Sequence, residues 1–241
     1  GGALAAPYAF ATTDPNEGVA RVPDSRLSLL GEMSDSKKII PTTIQFTDIG
    51  GLVEGAAKGE GLGNRFLAGI REVDAIVFVL RAFSDTDVPG PTDPVEHLRI
   101  VEVELALADL ETTQKQLSKI EKAAKADQSI RQVLDSLKHA SEQLDQGIPI
   151  YKSDLTFEER ELLSEFFLLT DKPVLAVVNL GEDQVEEANQ ILEPVIAELS
   201  GQEVIGMCVQ LESEAALLTP EEQAEMLEAL GLGEGALARF V

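Results

Sequence analysis

One stretch of the chain, residues 42–83, restricts the possible folds more than any other part of the sequence. It opens with a β-branched run that ends in an acid and leads into a glycine pair, TTIQFTDIGG. A segment of small residues comes next, and then a helix-like segment and the apolar run AIVFVL at residues 75–80. A continuous apolar run of this kind is typical of a parallel strand that is buried on both faces. The stretch therefore predicts two strands separated by a glycine-rich turn and a helix.

An Asp-x-x-Gly pattern, Asp48 to Gly51, lies where the first of these strands ends. In many NTPases a carboxylate at this place reaches a magnesium ion, usually through water, and the glycine N–H meets the terminal phosphate. The pattern alone is a weak signal, because it occurs by chance in many loops. The next residue is Leu52, which cannot hydrogen-bond to the attacking water as the glutamine of Ras-like GTPases does. Leu52 either marks a different way of placing the water or packs beneath the turn, and the two roles are compatible.

Composition and charge exclude several classes of protein. The chain has 241 residues and is 44% hydrophobic, enough for a substantial core in one large or two small domains. Its 43 acidic against 19 basic side chains give a net charge of -24, which argues against bulk electrostatic binding to nucleic acid, although a local basic patch remains open. The single Cys208 cannot form an internal disulfide, no signal peptide is visible, and no apolar run approaches about 20 residues. We therefore expect a cytoplasmic protein with no membrane partner.

Most of the remaining sequence alternates strands with helices, which predicts a doubly wound α/β sheet. Residues 91–149 differ, because they read as two long helices. The first starts at Asp93-Pro94-Val95-Glu96, with a capping acid and a proline at the first helical position. Residues 101–105 alternate like a strand, but their long polar continuation favours a helix. The second helix ends at Gly147-Ile148-Pro149, so the pair is expected to form an antiparallel helical hairpin inserted into the α/β domain.

Several segments together resemble the Obg-related group of translation-factor GTPases, and most closely its YchF / Obg-like ATPase branch. They read DIGGLVEGA at residues 48–56, KGEGLGNRFL at 58–67 and IREVDAI at 70–76. The family usually has Ala or Pro where this chain has Gly50. The likeness runs through nearly all 241 residues. It implies a P-loop NTPase-type sheet, with a coiled-coil insertion at the place of the predicted hairpin.

The resemblance also implies a magnesium site and a phosphate sensor. A Tyr-Pro-Phe-x-Thr-x-x-Pro-Asn segment forms the first switch of the family, and by that match Thr12 binds Mg²⁺ together with Asp48. Ala9 replaces the usual proline, and from the residues alone a plain turn at 14–18 explains the segment as well. The N–H of Gly51 then meets the γ-phosphate, and Leu52 is the hydrophobic replacement that the family shares.

The base is expected at the carboxyl end of a later buried strand, residues 174–179. Asn179-Leu180-Gly181-Glu182 takes the place of the GTPase Asn-Lys-x-Asp motif, but its carboxylate, on Glu182, is one methylene longer. Misplacing it forfeits hydrogen bonds to guanine worth roughly 1.5–3 kcal/mol each, about tenfold or more in guanine preference. The branch has Asn-x-x-Glu and prefers ATP, so adenine is expected, with Leu180 in contact through its backbone or side chain. A strand end capped by Asn179 is the alternative. Cys208 and Val209 resemble the family's loop near the base.

Two family segments do not occur within residues 1–241. No Gly-x-x-x-x-Gly-Lys-[Ser/Thr] is present, and the family places it some tens of residues before Tyr8. The family also continues into a small β-rich TGS domain after the position of Val241. We therefore expect a sheet that is incomplete at its N-terminal side. The chain as given is not expected to hydrolyse nucleotide, whereas the intact protein is.

The resemblance divides the chain into residues 1–90 with both switches, residues 91–149 as the inserted hairpin and residues 150–241 with the base-recognition motif. It implies a slow, Mg²⁺-dependent switch ATPase that hydrolyses GTP less well and acts on the ribosome, through the large subunit or the whole particle. Two alternatives stay open. One is a GTPase of the Obg or DRG type, and the other is a non-catalytic module whose hairpin binds a ribosomal or protein partner.

Overall fold

A computed structural model describes residues 16–22, 24–48, 67, 69–85, 91–123 and 128–229 of the chain. The predictions made at Thr12, Gly51 and Leu52 lie outside these ranges.

The first unit is an antiparallel strand pair that carries a short helix. Strands β1 (Asn16–Arg21) and β2 (Thr43–Asp48) pair along their full length, with Asn16 opposite Asp48. Helix α1 (Ser25–Met33) begins after Asp24, whose carboxylate accepts a hydrogen bond from the Arg26 N–H at 3.0 Å. The sequence predicts strands at residues 18–22 and 39–48 joined by a short helix, and this order is confirmed, although β2 is shorter than its predicted span.

A parallel sheet of three strands forms the centre of the protein. Strands β3 (Ile76–Arg81), β4 (Val174–Asn179) and β5 (Glu203–Met207) lie in the order β3-β4-β5. The register pairs Arg81 with Asn179 and Asn179 with Met207. The carboxyl ends of all three strands therefore meet in one row at one edge of the sheet, where α/β proteins bind their ligands.

The predicted helical hairpin is present. It consists of α2 (Pro94–Ala123) and α3 (Gln128–Asp145), whose short connection makes them antiparallel. The start of α2 packs on the sheet, because Leu98 and Leu105 are buried in the same core as β3 and β4. Further along, Ala106, Leu110 and Leu117 of α2 meet the apolar side of α3 in a second core. One long helix thus belongs to both the α/β unit and the hairpin.

The segment that follows the hairpin packs against it. Helix α4 (Phe157–Leu163) starts with a capping box between Thr156 and Glu159, as the sequence predicts. Its buried Leu163 lies in the second core with residues of α3. From this capping box the sequence predicts a helix that runs to about Leu168, and that extent is wrong. The chain changes to a 3-10 turn after α4 and then adopts a left-handed conformation at Phe167, with φ of 50°, which ends the helix.

The C-terminal part supplies three more helices. A 3-10 turn at Glu182–Glu187 leads into α5 (Ala188–Leu199), which runs through Pro194 without an interruption. Helix α6 (Val209–Ala215) follows β5 directly. The sequence Thr219-Pro220-Glu221-Glu222 predicts a helix start, and α7 (Pro220–Ala229) begins there. No helix in the described ranges combines the length and the apolar character that crossing a lipid bilayer demands.

A histidine on α3 clamps the hairpin to the start of α4. His139 Nδ1 lies 2.9 Å from Glu159 Oε1, and its Nε2 lies 3.0 Å from Asp154 Oδ1. The hydrogen bond with Glu159 raises the pKa of His139, and the same bond lowers the pKa of Glu159. A protonated imidazole donates from both nitrogens, so it bridges the two carboxylates.

This clamp is expected to make stability depend on pH. Because the folded pKa of His139 is raised, its stabilisation is present below the unfolded pKa of about 6.5 and is lost as the pH rises through the folded value. His139→Gln should therefore lower the free energy of unfolding by about 0.5–1 kcal/mol at pH 5.5, a small effect because solvent partly screens the pair. At pH 9 the variant should be about as stable as the wild-type protein. Urea unfolding of both proteins across this range measures the difference.

His97 provides the control of opposite sign. Burial lowers the pKa of His97, so the folded protein favours its neutral form. The cost of His97→Gln should consequently grow as the pH rises from 5.5 to 9. A cost of His139→Gln that stays constant or grows with pH would contradict the clamp.

Candidate functional site

Asn179 connects the two loops that leave the carboxyl edge of the sheet. Its amide oxygen, Oδ1, accepts a hydrogen bond from the Val209 N–H at 3.1 Å, across the gap between β4 and α6. The Leu180 N–H donates to the Met207 carbonyl at 2.8 Å, one step beyond the paired register. The two bonds fix the loop after β4 against the loop after β5. The structure thus brings Asn179, Leu180, Cys208 and Val209 together, as one contiguous group.

The side chains of this group differ in their exposure. Leu180 is only 3% exposed and packs into the core beneath the sheet edge, and Cys208 is buried in the neighbouring α6–α7 cluster. Val209 is 41% exposed, and Glu182 is exposed at the start of its 3-10 turn. The Leu180 side chain is therefore committed to the core. A bound base at this edge would meet the backbone of the loop and the side chains of Glu182 and Val209.

Gln184 braces the same loop, and the sequence reasoning missed it. Its Oε1 accepts from the Gly181 N–H at 2.8 Å, while its Nε2 donates to the Ala82 carbonyl at 3.0 Å. Ala82 in turn donates its N–H to the Asn179 carbonyl at 3.0 Å. The amide of Gln184 thus joins the loops after β3 and β4. A glutamine three residues after a helical start is a capping signal that could have found it.

Gly181 lies close to its neighbours where the loop turns. A Cβ at this position would lie 2.7 Å from Asp183 Oδ1 and 3.3 Å from the Phe83 Cβ. The glycine lets the backbone after Leu180 pass close to the end of β3. The close approach of Gly181 to Phe83 places Glu182 next to this edge.

Arg81 is the last residue of β3 and lies in the row of carboxyl strand ends, where its contacts are structural. It is 8% exposed, and its Nη2 and Nε donate to the Pro91 carbonyl at 3.0 and 3.3 Å. The Arg81 N–H donates to His97 Nδ1 at 3.4 Å, which fits the neutral form of that histidine. Its guanidinium carbon also lies 5.9 Å from the centre of the Phe83 ring. These contacts hold the start of α2 at the sheet edge.

Asp48, the candidate magnesium ligand, lies in the other sheet. It is exposed at the end of β2, and in the described ranges the β1-β2 pair is not hydrogen-bonded to the three-stranded sheet. No cluster of at least three His, Cys, Asp or Glu side chains suited to a metal occurs in the same ranges. Mg²⁺ commonly takes one or two protein ligands and completes its shell with phosphate and water. A single carboxylate such as Asp48 is therefore compatible with that ion.

Comparison with known proteins decides the family. The model of a family described as 50S ribosome-binding GTPase matches residues 2–180. The Ribosome-binding ATPase YchF of Bacillus subtilis is 42% identical over 248 residues, which cover 100% of this chain and 68% of that protein. The chain belongs to the YchF / Obg-like ATPase family. The resemblance predicted from its motifs is confirmed.

Other members of the YchF / Obg-like ATPase family also match this chain in sequence. The Ribosome-binding ATPase YchF of Haemophilus influenzae is 40% identical over 246 residues, covering 100% of this chain and 68% of that protein. An Obg-like ATPase homolog of Schizosaccharomyces pombe is 37% identical over 233 residues, covering 93% of this chain and 56% of that protein. The chain spans about two thirds of the length of the bacterial relatives.

A solved structure of the family confirms the predicted fold. The Schizosaccharomyces pombe YchF GTPase superposes with a TM-score of 0.79 at 32% identity, covering 97% of this chain and 65% of that chain. The α/β fold with a parallel sheet is therefore of the P-loop NTPase type. The subdivision at residues 90 and 149 stays a prediction, and so do the roles of the individual site residues.

Proposed function

We propose that this chain is the nucleotide-binding part of a ribosome-associated switch ATPase. The observation that carries the proposal is the Asn179 side chain, which ties the loop of the Asn-x-x-Glu motif to the loop after β5 at the carboxyl edge of the sheet. A preformed edge with few, fixed polar groups is what a nucleotide base requires. Bacterial relatives at 42% and 40% identity are named ribosome-binding ATPases, which supports the ribosome as the partner and the cytoplasm as its place.

We assign adenine to this edge for a reason of geometry. The guanine-reading aspartate of GTPases is replaced by Glu182, whose carboxylate extends one methylene further. The Leu180 side chain is buried, so the base contact of this residue falls to its backbone, and its N–H is already used by the Met207 carbonyl. We therefore place the contact on the Leu180 carbonyl, an acceptor that suits the exocyclic amino group of adenine. Val209 would border the base from the β5 side, and Cys208, whose side chain is buried, would do so through its backbone alone.

The proposed contacts to magnesium and to the phosphates come from Asp48 and from residues outside the described ranges. Asp48 and Thr12 would hold Mg²⁺, which neutralises charge on the β- and γ-phosphates when it is bound. The Gly51 N–H would donate to the γ-phosphate and stabilise the charge that develops during in-line attack by water. Leu52 cannot orient that water, because it has no hydrogen-bonding group. A slow reaction is the expected consequence, as suits a switch.

A GTPase remains a second candidate, because the matching family model and the solved yeast structure both carry that name. The test is equilibrium binding of ATP and GTP to the complete gene product. We expect ATP to bind at least about tenfold more tightly, the equivalent of one forfeited charged hydrogen bond to guanine. Glu182→Asp, which restores the shorter acid, should reduce this ratio. Glu187→Asp, at the other end of the same exposed turn, is the matched control and should leave it unchanged.

Each outcome separates the candidates. A clear preference for GTP in the wild-type protein would contradict the adenine assignment and support an Obg- or DRG-type GTPase. Binding of neither nucleotide would favour the non-catalytic module. An unchanged ratio in Glu182→Asp would remove Glu182 from the base site.

A further inference from the structure

Arg71 joins the segment that follows the Asp-x-x-Gly turn to the helical hairpin. It lies in the helical residues 69–72, and its Nη2 donates to Thr112 Oγ1 of α2 at 2.9 Å. Its Nη1 donates to the Phe167 carbonyl, also at 2.9 Å. These partners are 41 and 96 positions away in the chain. One planar guanidinium therefore holds three separate segments in a fixed relation.

A lysine fixes the same segment from its other end. Lys172 Nζ donates to the Arg71 carbonyl at 3.1 Å and to the Val73 carbonyl at 2.6 Å. Carbonyls at the end of a helical turn have no partner within the turn, and a cation satisfies them well. Two contacts thus hold residues 69–73: the Arg71 side chain bonds to Thr112, and the backbone carbonyls of the segment accept from Lys172.

A buried acid on α2 holds the segment around Phe167 that Arg71 contacts. Asp109, 0% exposed on α2, accepts from the Leu169 N–H at 2.9 Å and from the Thr170 N–H and Oγ1 at 2.7 and 2.8 Å. The Ile150 N–H, just beyond the hairpin, donates to Thr170 Oγ1 at 3.2 Å. The segment from Phe167 to Lys172 is therefore bonded both to α2 and to the residue just beyond the hairpin.

We propose that Arg71 transmits the nucleotide state of the second switch to the helical hairpin. This rests on the proposed function, because it requires a bound nucleotide. In P-loop NTPases the segment after Asp-x-x-Gly is ordered by the γ-phosphate and released after hydrolysis. A displacement of residues 69–72 breaks the bonds to Thr112 Oγ1 and the Phe167 carbonyl together, since both nitrogens belong to one rigid group. The hairpin is then held firmly in the ATP state and loosely in the ADP state.

Amide hydrogen exchange in the part of α2 around Thr112 tests this coupling. The complete gene product is compared with Mg²⁺ and either ADP or a non-hydrolysable ATP analogue, and amide exchange is followed in residues 108–116. In the wild-type protein, exchange should be at least about fivefold slower with the ATP analogue, the lower range of allosteric coupling. In Arg71→Met, which keeps the apolar stem but loses the donors, the difference should vanish. ATP affinity should stay within about twofold of the wild-type value, because Arg71 is no part of the binding edge.

Two further variants keep the result interpretable. Thr112→Val preserves the shape of the side chain and leaves the Arg71 bond to the Phe167 carbonyl intact, so it should remove only part of the difference. This variant tests the coupling even if Arg71→Met is too unstable to measure. Arg99→Met is the matched control, because Arg99 also links α2 to the α/β unit, through Glu198 Oε2 at 2.6 Å, but does not contact residues 69–73. It should retain the full wild-type difference.

The possible failures are distinguishable. If Arg71→Met exchanges faster in both states but keeps the fivefold difference, Arg71 is a structural brace and the coupling is overturned. Equal exchange in both states of the wild-type protein, with nucleotide bound, overturns the coupling and leaves the proposed function standing. Failure of the wild-type protein to bind either nucleotide counts against the proposed function itself, and with it against the coupling.

Discussion

Replacing Asp109→Ala is expected to lower the free energy of unfolding by about 3 kcal/mol or more. The substitution leaves the N–H groups of Leu169 and Thr170 and the Thr170 hydroxyl without their acceptor inside the protein. Each unsatisfied buried donor costs about 1–3 kcal/mol. Burial raises the pKa of the Asp109 carboxyl, so removing a group that is costly to ionise offsets part of this loss.

Chemical unfolding of three variants measures the effect. Asp109→Asn keeps the volume and one acceptor oxygen, so its loss should be smaller than that of the alanine variant. Glu111→Gln changes an exposed acid on the same helix and should stay within about 0.5 kcal/mol of the wild-type protein. An alanine variant as stable as this control would show that Asp109 does not hold the turn at Leu169–Asp171.

Removing Lys152 is the second substitution with a large expected effect. Lys152 Nζ lies 2.6 Å from Glu102 Oε1, the two side chains are 14% and 7% exposed, and the Tyr151 hydroxyl donates to the same carboxylate. Burial raises the pKa of that hydroxyl, so it stays protonated and remains a donor. In Lys152→Met the buried carboxylate loses its counter-charge, which typically costs about 3–5 kcal/mol.

A second change at the same place should restore much of this loss. In the double variant Lys152→Met with Glu102→Gln, the buried charge is gone and the amide oxygen still accepts from Tyr151. We expect it to be more stable than the single variant, a non-additive result that thermal or urea unfolding can detect. Lys119→Met, on the exposed side of α2, is the control and should be nearly neutral. A double variant less stable than Lys152→Met would contradict the buried-charge explanation.

Local sequence patterns were sufficient for most elements and for the position of Asn179 at the sheet edge. The apolar runs at residues 75–80 and 174–179 predict buried parallel strands, and both are present. Because β4 ends at Asn179, the sequence also places that residue at the carboxyl edge. The loop from Cys208 was expected near it, and the Val209 N–H does bond to the Asn179 side chain. The strand predictions succeed because they depend on neighbours in the chain, whereas the proximity of the Cys208 loop was implied by the family resemblance.

The predictions that failed or were never made depend on distant partners. Asp109 reads as an ordinary acid on a polar helix, and only the Leu169–Thr170 turn, about 60 positions later, makes it a buried acceptor. The bridge made by His139 was not predicted, because its partners Asp154 and Glu159 lie 15 and 20 positions later in the chain. The early end of α4 follows from the left-handed Phe167, a residue type without a preference for that conformation. Tertiary contacts decide such features.

The insertion of the hairpin between β3 and β4 has a consequence for the order in which the chain folds. Ile76 pairs with Val174, so two adjacent strands are joined by a connection of roughly one hundred residues, and closing such a loop costs about 4 kcal/mol of chain entropy. Once α2 and α3 pair and Lys152 reaches Glu102, roughly thirty flexible residues remain, and the cost falls by about 1 kcal/mol. Helix pairing uses local contacts and is fast, whereas this strand pairing is not local. We therefore expect the hairpin to form first and to shorten the loop that β3 and β4 must close.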